Sequence, residues 1–307
     1  MVVLGNHPYS LAIRTPMRDC TEKSHLDFNN FWETVKELER LIDYTFICSG
    51  SLRGANDMPY VKRKEPVSSW IEQALHADRI SDGKSREFLM CKISMLIHDL
   101  QSIEMNRPDL LSHYRNKFRR HTDNEFWGLR LEIDIASTLA MNEILFELGS
   151  DLPGGDCKHG DFVCGDAAIE CTSIHASKIK RFNTYSEKIS RAIRRKKGKS
   201  YCAYNVALVL DMSNICYERA FVGDPVGGEE LRALLKDEQT FCNYGAIIAS
   251  IWFFNEDDSL QSVRYQNLMV REDSAYISPS LKLLLDNDLG LSQNLSPLTK
   301  VTWTGNY

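Results

Sequence analysis

Three short β-prone segments and one amphipathic helix, all between residues 161 and 213, constrain the fold most strongly. DFVCG (161–165) and AAIECTSIH (167–175) are separated by Gly165-Asp166, so they predict an antiparallel hairpin. Further along, YNVALVLDMS (204–213) has a continuous apolar core, which predicts a buried strand. The helix lies between the second and third strands. We therefore expect an α/β protein, with a mixed sheet flanked by helices.

The helix predicted over residues 185–197 carries an unusual charge. Tyr185, Ile189, Ala192 and Ile193 face inward at helical spacing, and Lys188, Arg191 and Arg195 form the opposite stripe. Residues 178–199 hold ten Lys and Arg against the single acid Glu187, although the whole chain has a net charge of −5. Such a stripe on an acidic protein suits a phosphate backbone, but it equally suits a solvated helix face or an acidic protein partner. The candidate nucleic-acid contacts are Lys178, Lys180, Arg181, Arg191, Arg194 and Arg195.

The first third of the chain is predicted to be mostly helical. Apolar residues recur at helical spacing in segments 28–44, 69–76 and 85–103, and Pro108 suits the first turn of another helix. Thr122 and Glu125 have the spacing of a capping box, which predicts that a helix begins there. Segments 245–254 and 262–270 predict two further strands. We therefore expect a helical N-terminal region over residues 1–118 and a second domain over residues 119–307.

Two carboxylates flank the predicted hairpin turn. Asp161 and Glu170 lie nine residues apart, so adjacent strands can bring them to one end of the sheet. Mg²⁺ prefers a few oxygen ligands completed by waters and a substrate phosphate. Glu170 follows Ala167-Ala168-Ile169 in an apolar strand, where an uncompensated carboxylate is costly. Glu132, on the preceding helix, would add a third carboxylate.

The order of a helix with Glu132, then HGDF (159–162), IECTS (169–173), a basic helix and a hydrophobic strand resembles the PD-(D/E)xK nuclease superfamily. The resemblance covers residues 122–213 and implies a restriction-endonuclease-like fold. It implies that Asp161 and Glu170 bind Mg²⁺ or Mn²⁺, with Glu132 as an auxiliary ligand. The carbonyl of Cys171 is a further ligand implied by the family.

The family signature is broken at one position. Thr172 stands where the superfamily has lysine, and its hydroxyl can hydrogen-bond a water but supplies no positive charge. Lys188 of the basic helix or Lys178 just past the strand would replace the lysine. Without such a replacement, either the metal alone carries out catalysis or the site is inactive.

The function implied by the resemblance is Mg²⁺-dependent hydrolysis of phosphodiester bonds, with DNA favoured over RNA. By family analogy such an endonuclease serves restriction or phage defence, as a homodimer or with a partner protein of the defence system. A second hypothesis is an inactive module of the same fold that binds nucleic acid or a partner protein. A third is a metal-independent ribonuclease, because Arg115-Asn116 and His121 match the short signature of HEPN-type ribonucleases.

The remaining sequence features favour a cytoplasmic protein. The chain has nine cysteines, an odd number that is more typical of reduced thiols than of a disulfide framework. Cys157, Cys164 and Cys171 recur at intervals of seven, but without the CxxC spacing of zinc sites. The sequence contains no apolar run of the ~18 residues that a membrane span needs and no apolar N-terminal leader, so neither membrane insertion nor secretion is expected.

Overall fold

A computed structural model describes residues 31–48, 60–62, 64, 66–81, 83–122, 125–155, 158–174, 185–213, 215, 231, 233–235, 237, 243–257, 260–270 and 277–285. The chain divides into two compact units. The helical unit has residues 31–137 as its main described part, and the sheet unit has residues 138–252. The helix over Phe126–Met141 contributes residues to both units. The expected domain boundary at 118/119 stays a prediction.

Five helices and a two-stranded antiparallel sheet form the main described part of the helical unit. The helices are α1 (Phe31–Ile42), α2 (Val67–Arg79), α3 (Gly83–Asn106), α4 (Pro108–Arg120) and α5 (Phe126–Met141), and the strands are β1 (Ile47–Cys48) and β2 (Tyr60–Val61). The apolar residues of α1 and α4 are buried, as their spacing predicts. For residues 31–48 and the described residues from 60 to 118, the mostly helical N-terminal region is therefore confirmed.

One of the two backbone bonds of the predicted capping box lies just before α5, which begins at Phe126. The Glu125 carboxylate accepts hydrogen bonds from the Thr122 backbone N–H (2.8 Å) and the Thr122 hydroxyl (2.9 Å). These bonds, the backbone one first, lower the pKa of Glu125. The reciprocal bond differs from the usual motif, because the Glu125 N–H donates to the Thr122 carbonyl oxygen and not to the hydroxyl.

A lysine is buried in the helical unit. Lys92 of α3 is only 3 % exposed, and its Nζ lies 5.4 Å from the ring centroid of Trp70. Burial lowers the pKa of Lys92 from 10.5 to about 7, because the charged ammonium loses its hydration.

We expect Lys92→Met to stabilise the protein in a pH-dependent way. Below pH 7 the folded and unfolded states both carry the proton, so the native chain bears the full cost of a buried ammonium, on the order of 4 kcal/mol. Between pH 7 and about 10.5 the unfolded state holds more protons, so native stability rises with pH and the advantage of methionine shrinks. Urea denaturation at pH 6, 8 and 10 measures this; an advantage that is constant with pH would contradict it.

A mixed sheet of six strands in sequential order lies mostly in the sheet unit, and its residues 253–264 are grouped with the helical unit. Its strands are β3 (Glu147–Leu148), β4 (Phe162–Cys164), β5 (Ala167–Ser173), β6 (Val206–Asp211), β7 (Ala246–Asp257) and β8 (Leu260–Val270). Strands β3, β4 and β5 pair antiparallel, and β5, β6 and β7 pair parallel. The hairpin turns through Gly165, whose φ of 58° favours glycine. The predicted hairpin and later strands are confirmed.

The helix α6 (Tyr185–Lys197) lies in the connection between the parallel strands β5 and β6. It buries Tyr185, Ile189 and Ile193, as its periodicity predicts. All six residues of β6 are buried, so this strand lies in the interior. A short helix, α7 (Pro279–Leu283), follows the sheet. The α/β class with a mixed sheet and flanking helices is thus confirmed.

Within the described part of the chain, no helix has both the length and the apolar character needed to cross a membrane.

Candidate active site

Two close backbone approaches fix the segment just before β4, where Asp161 lies. A Cβ on Gly149 would come 1.8 Å from the carbonyl oxygen of Gly160, and a Cβ on Gly160 would come 2.8 Å from that of Ile169. Neither position has room for a larger residue. The Asp161 carbonyl also accepts a hydrogen bond from the Gly149 N–H at 3.0 Å. The glycine of the HGDF segment is therefore explained by packing of the backbone against β5.

The hairpin register brings the two predicted carboxylates to the same level. Phe162 pairs with Ile169, so extending the register by one residue sets Asp161 opposite Glu170. The Asp161 Oδ2 accepts a 2.6 Å hydrogen bond from the backbone N–H of Cys171, the residue after Glu170. This bond ties the Asp161 carboxylate to β5.

Glu170 is buried in the middle of β5 and has an ionic partner. Its side chain is 4 % exposed and forms an ion pair with Nζ of Lys196, a residue of α6 that is itself 18 % exposed. The ammonium of Lys196 on α6 thus offsets the desolvation free energy of the buried Glu170 carboxylate.

A buried tyrosine follows α6. Tyr201 is 9 % exposed, and its pKa is raised above the ordinary value, first by burial and then by the charge of Glu170. Asp161, Glu170 and Lys196, linked to β5 and to one another by the Cys171 N–H bond and the ion pair, are named here the carboxylate cluster.

The other residues predicted for this site are placed as follows. Thr172 is buried and shares a face of β5 with Glu170, two residues earlier. Cys171 is a buried free thiol. On α6, Lys188 is partly buried, and Arg191, Arg194 and Arg195 are exposed. Lys178, Lys180 and Arg181 lie outside the described residues.

Lys196 is the residue that the sequence reasoning missed. The structure pairs Glu170 with Lys196, whereas the sequence singled out Lys188 and Lys178, whose roles stay predictions. A signal for Lys196 was present: it follows Ile193 by three residues, Ile189 by seven and Tyr185 by eleven, so it shares their inward face. The surrounding run of basic residues hides this lysine among solvent-facing ones.

Glu132, the predicted auxiliary ligand, belongs to the helical unit. Its Oε2 lies 2.5 Å from Nζ of Lys117, so the structure gives it an ionic partner on α4. An assisting role for Glu132 at a metal stays a prediction.

The residues of the HEPN-like signature have packing roles in the structure. The Arg115 guanidinium donates to the carbonyl oxygens of Leu41 (2.7 Å) and Arg40 (3.2 Å), which satisfies the C-terminal end of α1. The His121 ring lies against the rings of Phe118 (4.9 Å) and Phe126 (5.5 Å between centroids). These contacts give both residues a structural role, and the hypothesis of RNA cleavage by Arg115 and His121 stays a prediction.

The donor set of the carboxylate cluster fits Mg²⁺ or Mn²⁺ better than zinc. Among the described residues no group of three or more His, Cys, Asp or Glu side chains could hold a metal, and Cys157 of the zinc hypothesis lies outside them. Mg²⁺ is usually held by one or two carboxylates, with waters and substrate phosphates as the other ligands. Asp161 and Glu170 supply that number of carboxylates.

No protein-family model, curated protein or solved structure matches this chain.

Proposed function

We propose that the protein is a nuclease dependent on Mg²⁺ or Mn²⁺, with Asp161 and Glu170 as its metal-binding carboxylates. The observation that carries the proposal is the ion pair between Glu170 and Lys196 beside an Asp161 carboxylate tied to the same strand. Thr172 stands where the family signature has a lysine. Lys196, on the inward face of α6, supplies a lysine beside the carboxylate pair.

The order of elements supports a restriction-endonuclease-like core. A helix is followed by the β4–β5 hairpin, then by α6 and by the parallel strand β6. This is the order that the resemblance to the PD-(D/E)xK superfamily implies. Asp161 immediately precedes β4 and Glu170 lies within β5, and the resemblance implies acidic residues in these two elements.

Each residue of the cluster has a distinct role in the proposed reaction. The carboxylates of Asp161 and Glu170 would hold the cation, and the Cys171 carbonyl is a further oxygen donor. When bound, a divalent cation lowers the pKa of its water and offsets the charge that develops during phosphodiester displacement. The Lys196 ammonium donates to the attacking water or to a phosphate oxygen, and the Cys171 N–H keeps the Asp161 carboxylate oriented.

The exposed face of α6 supports nucleic acid as the substrate. Arg191, Arg194 and Arg195 are exposed on the helix that carries Lys196 inward. Guanidinium groups bind phosphate oxygens with paired donors, and such contacts weaken as salt rises. DNA is the favoured substrate, and restriction or phage defence, as a homodimer or with a defence partner, is the setting that the family resemblance suggests.

Cleavage assays with a matched pair of aspartate variants test this function. Asp161→Asn removes a metal ligand, and Asp166→Asn removes an exposed carboxylate in the turn of the same hairpin. On supercoiled plasmid and on single-stranded RNA, we expect Mg²⁺-dependent cleavage by the native chain and by Asp166→Asn only. Cleavage that persists in EDTA, or that survives in Asp161→Asn, would contradict the proposal.

A non-catalytic nucleic-acid-binding module is the second candidate. It is favoured by the ion pair itself, because Lys196 neutralises Glu170 and gives the carboxylate a structural role. Such a module would show no metal-dependent cleavage, and Asp161→Asn would leave its affinity for nucleic acid unchanged.

A further inference from the structure

Thr172 places a buried hydroxyl close to the carboxylate cluster. It follows Glu170 by two residues on β5, so the two side chains share a face of the strand. That face is the one turned toward α6, because Lys196 of α6 contacts Glu170. Thr172 thus lies on the side of the sheet that holds Glu170 and Lys196.

The hydroxyl of Thr172 needs an explanation beyond packing. Thr172 is 7 % exposed, and within the described part of the chain no side chain or backbone group hydrogen-bonds its hydroxyl. A buried hydroxyl is costly unless it is hydrogen-bonded. A valine would have nearly the same shape without that cost, and it is equally favoured in strands. A molecule that enters the site and bonds the hydroxyl accounts for the threonine.

The spacing along β5 suits a single water between the hydroxyl and the carboxylate. The Cα atoms of same-face neighbours on a strand lie about 6.6 Å apart, and two hydrogen bonds through one water span about 5.5 Å. The ammonium of Lys196 has three N–H donors, and its bond to Glu170 uses one of them. A water at this point can therefore accept a hydrogen bond from Lys196 and donate one to the Thr172 hydroxyl.

We propose that the Thr172 hydroxyl binds the attacking water of the phosphodiester hydrolysis, together with the ammonium of Lys196. The proposal rests on the proposed function, because this water is the nucleophile of the same reaction. Lys196 supplies the positive charge, and Thr172 supplies the direction. A water held by two hydrogen bonds has few orientations left, which keeps its remaining lone pair available to the phosphorus atom.

Cleavage kinetics of two Thr172 variants test the role in the reaction. Thr172→Val removes the hydroxyl and keeps the shape, whereas Thr172→Ser keeps the hydroxyl. At saturating Mg²⁺ we expect Thr172→Val to lower kcat about 10- to 100-fold with unchanged Mn²⁺ and DNA affinities, and Thr172→Ser to stay within about threefold of the native kcat. Ser173→Ala, on the opposite face of β5, is the matched control and should keep the native kcat.

Urea denaturation provides a measurement that is independent of activity. Because the described residues leave the Thr172 hydroxyl without a hydrogen bond, we expect Thr172→Val to unfold at the same urea concentration as the native chain or at a higher one. Ser68→Ala is the control: the Ser68 hydroxyl is also buried but accepts a 2.9 Å hydrogen bond from the Lys64 backbone N–H, so its loss should lower the urea midpoint. A stable but slow Thr172→Val would show a hydroxyl that serves the reaction and not the fold.

Three outcomes overturn the proposal, and they separate it from the proposed function. If Thr172→Val keeps the native kcat while Asp161→Asn abolishes cleavage, the nuclease stands and Thr172 does not bind the attacking water. If Thr172→Val lowers the urea midpoint as Ser68→Ala does, or Thr172→Ser is as slow as Thr172→Val, the residue acts through packing. If the native chain shows no metal-dependent cleavage, both the proposed function and the role of Thr172 are wrong.

Discussion

Lys196→Met is expected to reduce metal-dependent cleavage by at least about 100-fold, the contribution typical of a positioned group that acts on the proton of the attacking water. The substitution keeps an unbranched aliphatic side chain on the inward face of α6 but removes the only ammonium that the structure shows bonded to Glu170 within its described residues. The loss should be mostly in kcat, because Lys196 serves the reaction at the carboxylates and not the binding of the nucleic-acid backbone.

The control for this prediction is the neighbouring lysine. Lys197→Met removes the same charge from α6 at an exposed position. We expect Lys197→Met to retain kcat within about threefold and to change mainly the salt dependence of binding. In Lys196→Met, Mn²⁺ binding should persist, since the Glu170 carboxylate no longer has an ammonium competing for it. Equal rates for the two variants would show that Lys196 has no catalytic role.

Arg130→Met should cost about 3–5 kcal/mol of unfolding free energy, because it breaks a buried ion pair. In the helical unit, Nη2 of Arg130 lies 2.6 Å from Oδ2 of Asp99, and the two side chains are 0 % and 5 % exposed. Removing the guanidinium deprives the buried Asp99 carboxylate of this partner and leaves His98, whose Nδ1 lies 3.6 Å from Oδ1. Urea denaturation followed by circular dichroism measures the loss.

A double variant and a surface variant serve as controls for Arg130. Arg130→Met with Asp99→Leu replaces the pair by apolar side chains and should recover most of the stability, because the desolvation cost disappears together with the attraction. Arg40→Met removes ion pairs to Glu37 and Glu104 whose side chains are partly exposed, so its cost should stay below about 1 kcal/mol. A small effect of Arg130→Met would mean that water reaches the Asp99 carboxylate.

Local patterns predicted most of the elements around the candidate site. The Gly165-Asp166 turn and the inward face of α6 each depend on residues close in sequence, and the structure confirms both. At Thr122 the structure shows one of the two backbone bonds of the predicted capping box. The antiparallel pairing of Asp161 and Glu170 follows from the same hairpin.

The features that the sequence did not predict depend on contacts between distant segments. Asp99 and Arg130 lie on separate helices, and no periodicity indicates that their charges are buried against each other. Lys196 reaches Glu170 because β5 and β6 are parallel strands and α6 lies in the connection between them. The spacing within α6 identifies the face of Lys196, but the partner of that face comes from the tertiary fold.

Anomalous diffraction from crystals grown with Mn²⁺ tests the central claim most directly, because it locates the cation without relying on activity. The account predicts an anomalous peak bonded to carboxylate oxygens of both Asp161 and Glu170, and no peak there in crystals of Asp161→Asn. A peak confined to other residues, or no peak while Lys196 keeps its contact with Glu170, would contradict the metal centre.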